Sequence, residues 1–522
     1  MAPLLLSLRA ALLLLLAAAA RASASSPVNF LFILSDDLGY GEVSFTPGRT
    51  NTNISTPHLA ALASQGMVFS RAYTGAPVCA PSRGALMTGK HTGHATIRGN
   101  RGTPDGGDFP LLPSPGDRTF LQALRDAGYH VSCVGKWGLG SVRGPGDAID
   151  KGCSDYYGVM GQSEAHNMYP TQANFTWRWP AANGSASWEA LPFPANAQAS
   201  RATCMAPGSG CVWTHDLWTR AALAALAANA QRSPPPPLFL YLAYTDPHAG
   251  GWGGEAEQGN PVPSDGRFAA EAWPDAEKDH ASVIENFQDR DVGALVAALD
   301  AGGLADSTAV FFASDNGASN EGDHDYAFFG SSGPLRGFKR CLTEGGIRTP
   351  LLVRLPGVVP AGVVSDFPVA FWDLGDTILE LAGVPERLRQ DGASFAAVLA
   401  SPTGAAPGPP RPLYFEFCAC ALPPVLPAPA PAPRVLRTPP PCACPPARAL
   451  ARHVRAPAAG AQDGQGLGAR HDQRHHEGSV LLCRPAAAPV QPQRRRVRDA
   501  RPGGGAARRG GGAGRLGRGA AH

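Results

Sequence analysis

The sequence predicts an α/β fold built on a large, mostly parallel sheet sandwiched by helices. Two observations carry this. Apolar β-type runs, helical stretches and polar clusters alternate along the chain in one repeating rhythm, the pattern of a parallel sheet covered on both faces. Each polar cluster also falls at the C-terminal end of a strand-like run. The clusters can therefore converge on one edge of the sheet, where open α/β sheets place their sites.

The elements follow in order. Residues 27–35, Pro-Val-Asn-Phe-Leu-Phe-Ile-Leu-Ser, form an apolar run suited to a buried strand, ending in Asp36-Asp37-Leu38-Gly39-Tyr40-Gly41. Thr56 to Gly66 reads as a helix, with Pro57 in its first turn, Leu59 and Leu62 on one face and Gly66 as the stop. Phe120 to Ala127 is helical, Gly128 stops it, and Tyr129 to Val134 is a strand leading into Gly135-Lys136-Trp137-Gly138. Leu217 to Ala230 is helical, and the prolines from Pro234 to Pro237 break it. Leu238 to Tyr244 then runs as a strand into Thr245-Asp246-Pro247-His248. Val283 to Ala301 is a long helix, and Ala309 to Ala313 a strand leading into Ser314-Asp315-Asn316-Gly317.

The chain opens with Arg9 ahead of an apolar run from Ala10 to Ala20 and then Ala22-Ser23-Ala24. A basic start, a short hydrophobic stretch and a small-x-small site make residues 1–24 a signal peptide. No later stretch is long and apolar enough for a membrane helix. The expected product is soluble in the secretory pathway, extracellular or lysosomal, with no membrane and no nucleic acid as partner. Sequons at Asn53, Asn174 and Asn183 agree with that route. Eleven cysteines suit an oxidising compartment, and the odd count leaves one over. Cys204 with Cys211, and Cys133 with Cys153, are plausible pairs. Cys418-x-Cys420 and Cys442-x-Cys444 lie in or beside a Pro/Ala-rich stretch unsuited to rigid zinc geometry.

The formal net charge of +3 is a poor average. From Ala421 onward there are seventeen arginines and no lysine against four acidic residues, so the tail is strongly basic and the body net acidic. Residues 421–522 contain no Phe, Tyr, Trp, Ile, Met or Asn. Such a composition cannot bury enough apolar surface to offset chain entropy, so the tail reads as disordered or frame-shifted. Arg494-Arg495-Arg496 would suit a polyanion, but the abrupt change of composition favours a shifted reading frame.

Several polar residues at the strand ends have matching chemistry. Asp36, Asp37, Asp315 and Asn316 are all oxygen donors, the set a hard cation such as calcium takes. Singly, each pair would pass for a turn or helix cap. Lys136 and Lys339 are cations suited to an anion's oxygens, and His248 could protonate a leaving alcohol.

Cys79 sits in Val78-Cys79-Ala80-Pro81-Ser82-Arg83, followed by a small-residue run to Thr88-Gly89. This Cys-x-Pro-Ser-Arg segment resembles the signature of the sulfatase family. Other motifs match in order: Asn29 to Gly41, Gly135 to Gly140, Ala165-His166-Asn167-Met168-Tyr169-Pro170, Ser314 to Gly317, and Gly333 through Lys339 to Pro350. The set spans Asn29 to about Glu416 and resembles arylsulfatase A-like and N-acetylgalactosamine-6-sulfatase-like members.

The resemblance implies an alkaline-phosphatase-like fold with a catalytic domain over 25–385 and the start of a C-terminal antiparallel subdomain over 386–420. It implies hydrolysis of sulfate esters of aryl or carbohydrate substrates. Cys79 would be converted to formylglycine by the formylglycine-generating enzyme, and the aldehyde hydrate would attack sulfur. The alcohol would leave, and the remaining hydroxyl would expel sulfate. Asp36, Asp37, Asp315 and Asn316, with the modified Cys79, would hold calcium. Arg83 would stabilise the hydrate, Lys136 and Lys339 would bind sulfate oxygens, and His248 would assist the leaving group.

Two departures stand out. Gly138 occupies a position where many sulfatases carry a histidine that serves as base, which leaves His166 or His94 to compensate. Leu413-Tyr414-Phe415-Glu416-Phe417 resembles the first strand of the C-terminal sheet, but nothing after Cys420 can supply the rest. Two other readings compete. A phosphatase or phosphonate hydrolase would need a second set of metal ligands, which is not evident. A non-catalytic binder of sulfated glycans would not need the modification motif at Cys79.

Overall fold

A computed structural model describes residues 27–417, apart from 101–109, 114–115, 172–175, 181–185, 253–258 and positions 191, 389, 407 and 410. The signal peptide, the tail over 421–522 and the sequons at Asn174 and Asn183 lie outside the described residues. Asn53 lies within them and is exposed.

The centre is a ten-stranded sheet in the order β11-β2-β10-β9-β1-β8-β4-β5-β6-β7. Its strands are β1 (Asn29–Ser35), β2 (Met67–Phe69), β4 (His130–Lys136), β5 (Asp155–Val159), β6 (Thr176–Pro180), β7 (Ala186–Ala190), β8 (Leu238–Ala243), β9 (Thr308–Ser314), β10 (Leu351–Arg354) and β11 (Val363–Ser365). A second, two-stranded sheet pairs β3 (Ala72–Tyr73) with β12 (Val369–Ala370). From β9 through β1, β8 and β4 to β5 every pairing is parallel. Antiparallel strands flank this centre: β10 against β9 on one side, and β6 and β7 beyond β5 on the other.

The continuous apolar run of β1 follows from burial on both faces. Phe30, Phe32 and Leu34 pack into one core, Leu31 and Ile33 into the other. The four strands expected in the main sheet all form, each within a residue or two of its expected bounds. Both expected disulfides are present, Cys133–Cys153 and Cys204–Cys211. Among the described residues no helix is long and apolar enough to cross a membrane.

Two elements differ from expectation. The helix expected over Val283 to Ala301 starts earlier, at Asp275, and passes through a π-helical stretch, Val283–Asp289, before Arg290–Ala301. Such wider turns re-aim side chains and cluster at functional sites. Here Gln288 donates from Nε2 to Ser35 Oγ at 2.7 Å, beneath the end of β1. The carboxylate of Asp289 accepts from the backbone N–H of His58 (3.1 Å) and Leu59 (2.8 Å). It thereby caps the helix Pro57–Ser64, whose own Thr56 makes no side-chain cap.

The second difference is at Leu413 to Phe417, which adopts no strand. A strand needs a hydrogen-bonded neighbour, and the segment instead lies on a small apolar cluster. Leu413 and Phe415 pack there, with Phe415 centred 5.2 Å from the Trp372 ring.

Candidate active site

The register of the sheet assembles the acidic residues. Ser35 pairs with Ser314 across β1 and β9, so the residues that follow emerge side by side. The Asp315 N–H donates to Ser35 O at 3.0 Å. The Asp37 N–H donates to Asp315 Oδ1 at 3.2 Å, and Asn316 Nδ2 donates to Asp37 Oδ1 at 2.6 Å. Asp37 reaches this position with a left-handed backbone, φ 67°. All four residues, Asp36, Asp37, Asp315 and Asn316, are fully buried.

Lys136 is the last residue of β4, and its Nζ lies 2.5 Å from Asp36 Oδ2. The preceding Gly135 has φ 94°, and a Cβ there would fall 1.8 Å from Ala243 O, so only glycine fits. Lys339 arrives from the loop after β9, fixed by its N–H on Ala318 O at 2.8 Å. Its Nζ donates to Asp37 Oδ2 at 2.7 Å.

Cys79 opens the helix Cys79–Thr88, every residue of which is buried. Pro81 is tolerated because first-turn N–H groups have no intrahelical acceptor. The Cys79 thiol lies 3.4 Å from Asp36 Oδ1. One turn on, Arg83 projects from the same helix face. Its Nε donates to Asp315 Oδ2 at 2.9 Å, and an Nη donates to the Lys136 carbonyl at 3.0 Å. Its other Nη lies 3.4 Å from Asp36 Oδ2.

This packing separates the two carboxylates. Burial works to raise Asp36, but Lys136 and Arg83 outweigh it and hold the group well below the ordinary carboxylate range. Burial and the neighbouring Asp36 push Asp315 up to about 6. Burial, then Asp36, keeps the Cys79 thiol well above its usual value.

The partners of His248 define its tautomer. Nδ1 faces the Ala249 carbonyl at 2.6 Å, so it must donate. Nε2 faces the Lys339 ammonium at 2.8 Å, so it must accept. On this pattern the ring carries its proton on Nδ1, and the Nε2 lone pair accepts from Lys339. His166 stacks on it, with ring centroids 4.1 Å apart.

A buried relay holds His248 from behind. Asn260 Nδ2 donates to the His248 carbonyl at 2.9 Å, which turns Asn260 Oδ1 toward His280 Nδ1 at 3.0 Å. His280 Nε2 donates to Glu42 Oε1 at 2.6 Å, and Glu42 Oε2 accepts from the Gly39 N–H at 2.6 Å. The relay thus joins the Asp36-Asp37 turn to His248. Burial opposes a charge on His280, but Glu42 raises it. On the other side of the strand end His215 lies between Asp246 (2.9 Å) and Asp291 (3.2 Å). Burial opposes its charge too, yet the two carboxylates lift it to about 9.

The sequence-predicted residues Asp36, Asp37, Cys79, Arg83, Lys136, His248, Asp315, Asn316 and Lys339 all come together here. His166 joins them and His94 does not. His94 is 68% exposed on an outer loop, with Nδ1 2.7 Å from Asp391 Oδ1. At Gly138, φ is 71° and a Cβ would fall 2.2 Å from Gln162 Nε2. Gln162 therefore fills the space a side chain at 138 would take. Sequence reasoning missed Glu321, whose Oε2 accepts from Lys339 Nζ at 2.7 Å. Its position in the polar loop directly after Asp315-Asn316 was the available signal.

The donor set suits a hard cation. Asn316 Oδ1 is buried and has no hydrogen-bond partner. It stands beside three buried carboxylates, and ligand atoms of Asp36, Asp37, Cys79 and His248 lie within 4.8 Å of one another. An oxygen-rich set of this kind fits calcium better than zinc.

The Sulfatase family profile matches residues 28–384. Mouse N-acetylgalactosamine-6-sulfatase is 31% identical over 389 residues, covering 70% of this chain and 64% of that protein. Mouse steryl-sulfatase is 30% identical, covering 73% and 66%. Bovine arylsulfatase A is 31% identical, covering 75% and 71%. The chain thus spans just under two thirds of the length of the first two. Among solved structures, Ps i-CgsB in complex with k-i-k-neocarrahexaose superposes with a TM-score of 0.55 at 26% identity, covering 72% of this chain and 76% of that one. The match across the catalytic motifs and the sheet that carries them places this chain in the sulfatase family.

Proposed function

We propose that this protein is a sulfuric ester hydrolase of the secretory pathway that cleaves sulfate esters of aryl or carbohydrate substrates. One observation carries the reading: Cys79 lies 3.4 Å from Asp36, within a buried cluster whose cations are Arg83, Lys136 and Lys339. A tetrahedral sulfate needs such an array of fixed donors, which strengthens as charge develops on its oxygens. The related steryl-sulfatase, N-acetylgalactosamine-6-sulfatase and arylsulfatase A support sulfate esters as the substrate class.

The chain's own residues divide the work. Lys136 and Lys339 hold sulfate oxygens. Arg83 braces the Cys79 position against Asp315. His248 assists the departing alcohol by relay: Nε2 takes a proton from the Lys339 ammonium that it faces at 2.8 Å and passes it to the leaving oxygen, which leaves Lys339 neutral. Formylglycine at Cys79, once the formylglycine-generating enzyme has acted, supplies a hydrated aldehyde as nucleophile. Calcium would be held by Asp36, Asp37, Asp315 and Asn316 with the modified Cys79, and would supply Lewis-acid stabilisation.

Dialysis against a calcium chelator is expected to lower hydrolysis of 4-nitrophenyl sulfate by on the order of 10²-fold, with recovery on adding calcium. Turnover that survives complete removal of divalent ions would take calcium out of the assignment.

His166 is the residue we assign to the role left open by Gly138, because its ring lies on that of His248. His166→Ala should slow turnover by on the order of 10²-fold, the usual worth of a general acid–base group. Steady-state assays that find full turnover in this variant would reject the role.

A further inference from the structure

Arg340 follows Lys339 directly, yet the two side chains have opposite fates. Lys339 is buried against Asp37, whereas the Arg340 side chain is 43% exposed. One carboxylate connects them: Glu321 Oε2 accepts from Lys339 Nζ at 2.7 Å, and Glu321 Oε1 accepts from an Arg340 Nη. The Arg340 N–H donates to Pro77 O at 2.8 Å, two residues before Cys79. The guanidinium is therefore the next cation outward from the buried cluster.

The backbone at Arg340 is left-handed, with φ 73°. Glycine takes that conformation freely, and arginine takes it with strain. Strain of this kind persists where function requires the side chain. Neutralising Glu321 does not require it, since Lys339 already pairs with that carboxylate. A guanidinium carries five N–H donors in a planar fork that matches carboxylates and sulfates. Glu321 accepts from one Nη of it, and the side chain is 43% exposed.

We propose that Arg340 is a specificity-determining residue that binds a second anionic group of the substrate, next to the sulfate that is cleaved. The substrate class is then a polyanionic saccharide, carrying a further sulfate or a carboxylate, rather than an aryl or steryl monosulfate. This rests on the sulfate-ester hydrolase reading above.

Competitive inhibition of 4-nitrophenyl sulfate turnover tests it. The inhibitors are N-acetylgalactosamine monosulfate, its disulfate, and a monosulfated disaccharide bearing glucuronate. The parent enzyme should bind at least one of the two doubly anionic compounds about tenfold more tightly than the monosulfate, and which one it prefers identifies the second anion. In Arg340→Gly, which relaxes the backbone and so keeps the fold, that preference should shrink to about threefold or less. Arg340→Lys should retain part of it. Equal binding of all three by the parent, or an undiminished preference in Arg340→Gly, overturns the proposal while aryl sulfate turnover leaves the hydrolase reading intact. Absence of aryl sulfate turnover in protein shown to carry formylglycine overturns both.

Discussion

Replacing Cys79 with alanine is expected to lower sulfate ester hydrolysis by about 10⁴-fold or more while leaving the fold in place. Loss of a nucleophile removes the covalent route altogether, and residual rates then come only from binding and electrostatics. The structural cost is small. Cys79 is the first residue of its helix, and the hydrogen bond its thiol makes is a long one, 3.4 Å to Asp36. Trimming one buried sulfur should cost about 1 to 2 kcal/mol. The experiment pairs 4-nitrophenyl sulfate kinetics with a thermal melt. It also measures the mass of the peptide across Cys79 in the parent protein, where the aldehyde formylglycine is expected. Comparable rates for parent and Cys79→Ala, with intact melts, would show that this residue is not the nucleophile.

Arg83→Met should have the largest effect on stability, about 3 to 5 kcal/mol. Arg83 is fully buried, and it lies between Asp315 at 2.9 Å and Asp36 at 3.4 Å. Methionine keeps much of the volume but leaves two buried carboxylates short of a counter-charge, the costly way to break a buried pair. The denaturant midpoint should fall with little change in slope. The double variant Arg83→Met with Asp315→Asn should recover part of the loss, because the two residues share one interaction. A loss below about 1 kcal/mol in the single variant would mean that water or another cation reaches Asp315 and that Arg83 is not its main partner.

Much of the site could be read from the sequence because its residues follow strands. Asp36-Asp37 and Asp315-Asn316 each succeed an apolar run, and parallel pairing in register brings them together. Lys136 and His248 were legible for the same reason. Cys79 and Arg83 on a helix, and Lys339 on a loop, were legible only through their motifs, and the loop and helix residues that support the site were not. Glu42, Asn260 and His280 belong to three separate segments, and only the folded chain reveals the hydrogen-bonded line they make to His248. The π-helical turn is equally hidden, since the sequence from Val283 to Ala301 has ordinary helical periodicity. Choosing between His94 and His166 needed coordinates too. Both lie near a signature motif, and stacking on the His248 ring separates them. The antiparallel β10 escaped notice because Leu351–Arg354 is four residues long and follows Thr349-Pro350, without the helix that announces the parallel strands.

The order of the strands has one more consequence. Lys136 ends β4 and Asp36 directly follows β1, with β8 between the two strands. Their backbones are therefore two strand spacings apart, about 9 to 10 Å. That distance is a ruler built into the sheet. Loops can lengthen, shorten or drift without altering it, because hydrogen-bonded strands keep a fixed pitch. The separation of the lysine and the aspartate that meet at the site is thus set by the lattice of the backbone, whatever the loops around it do.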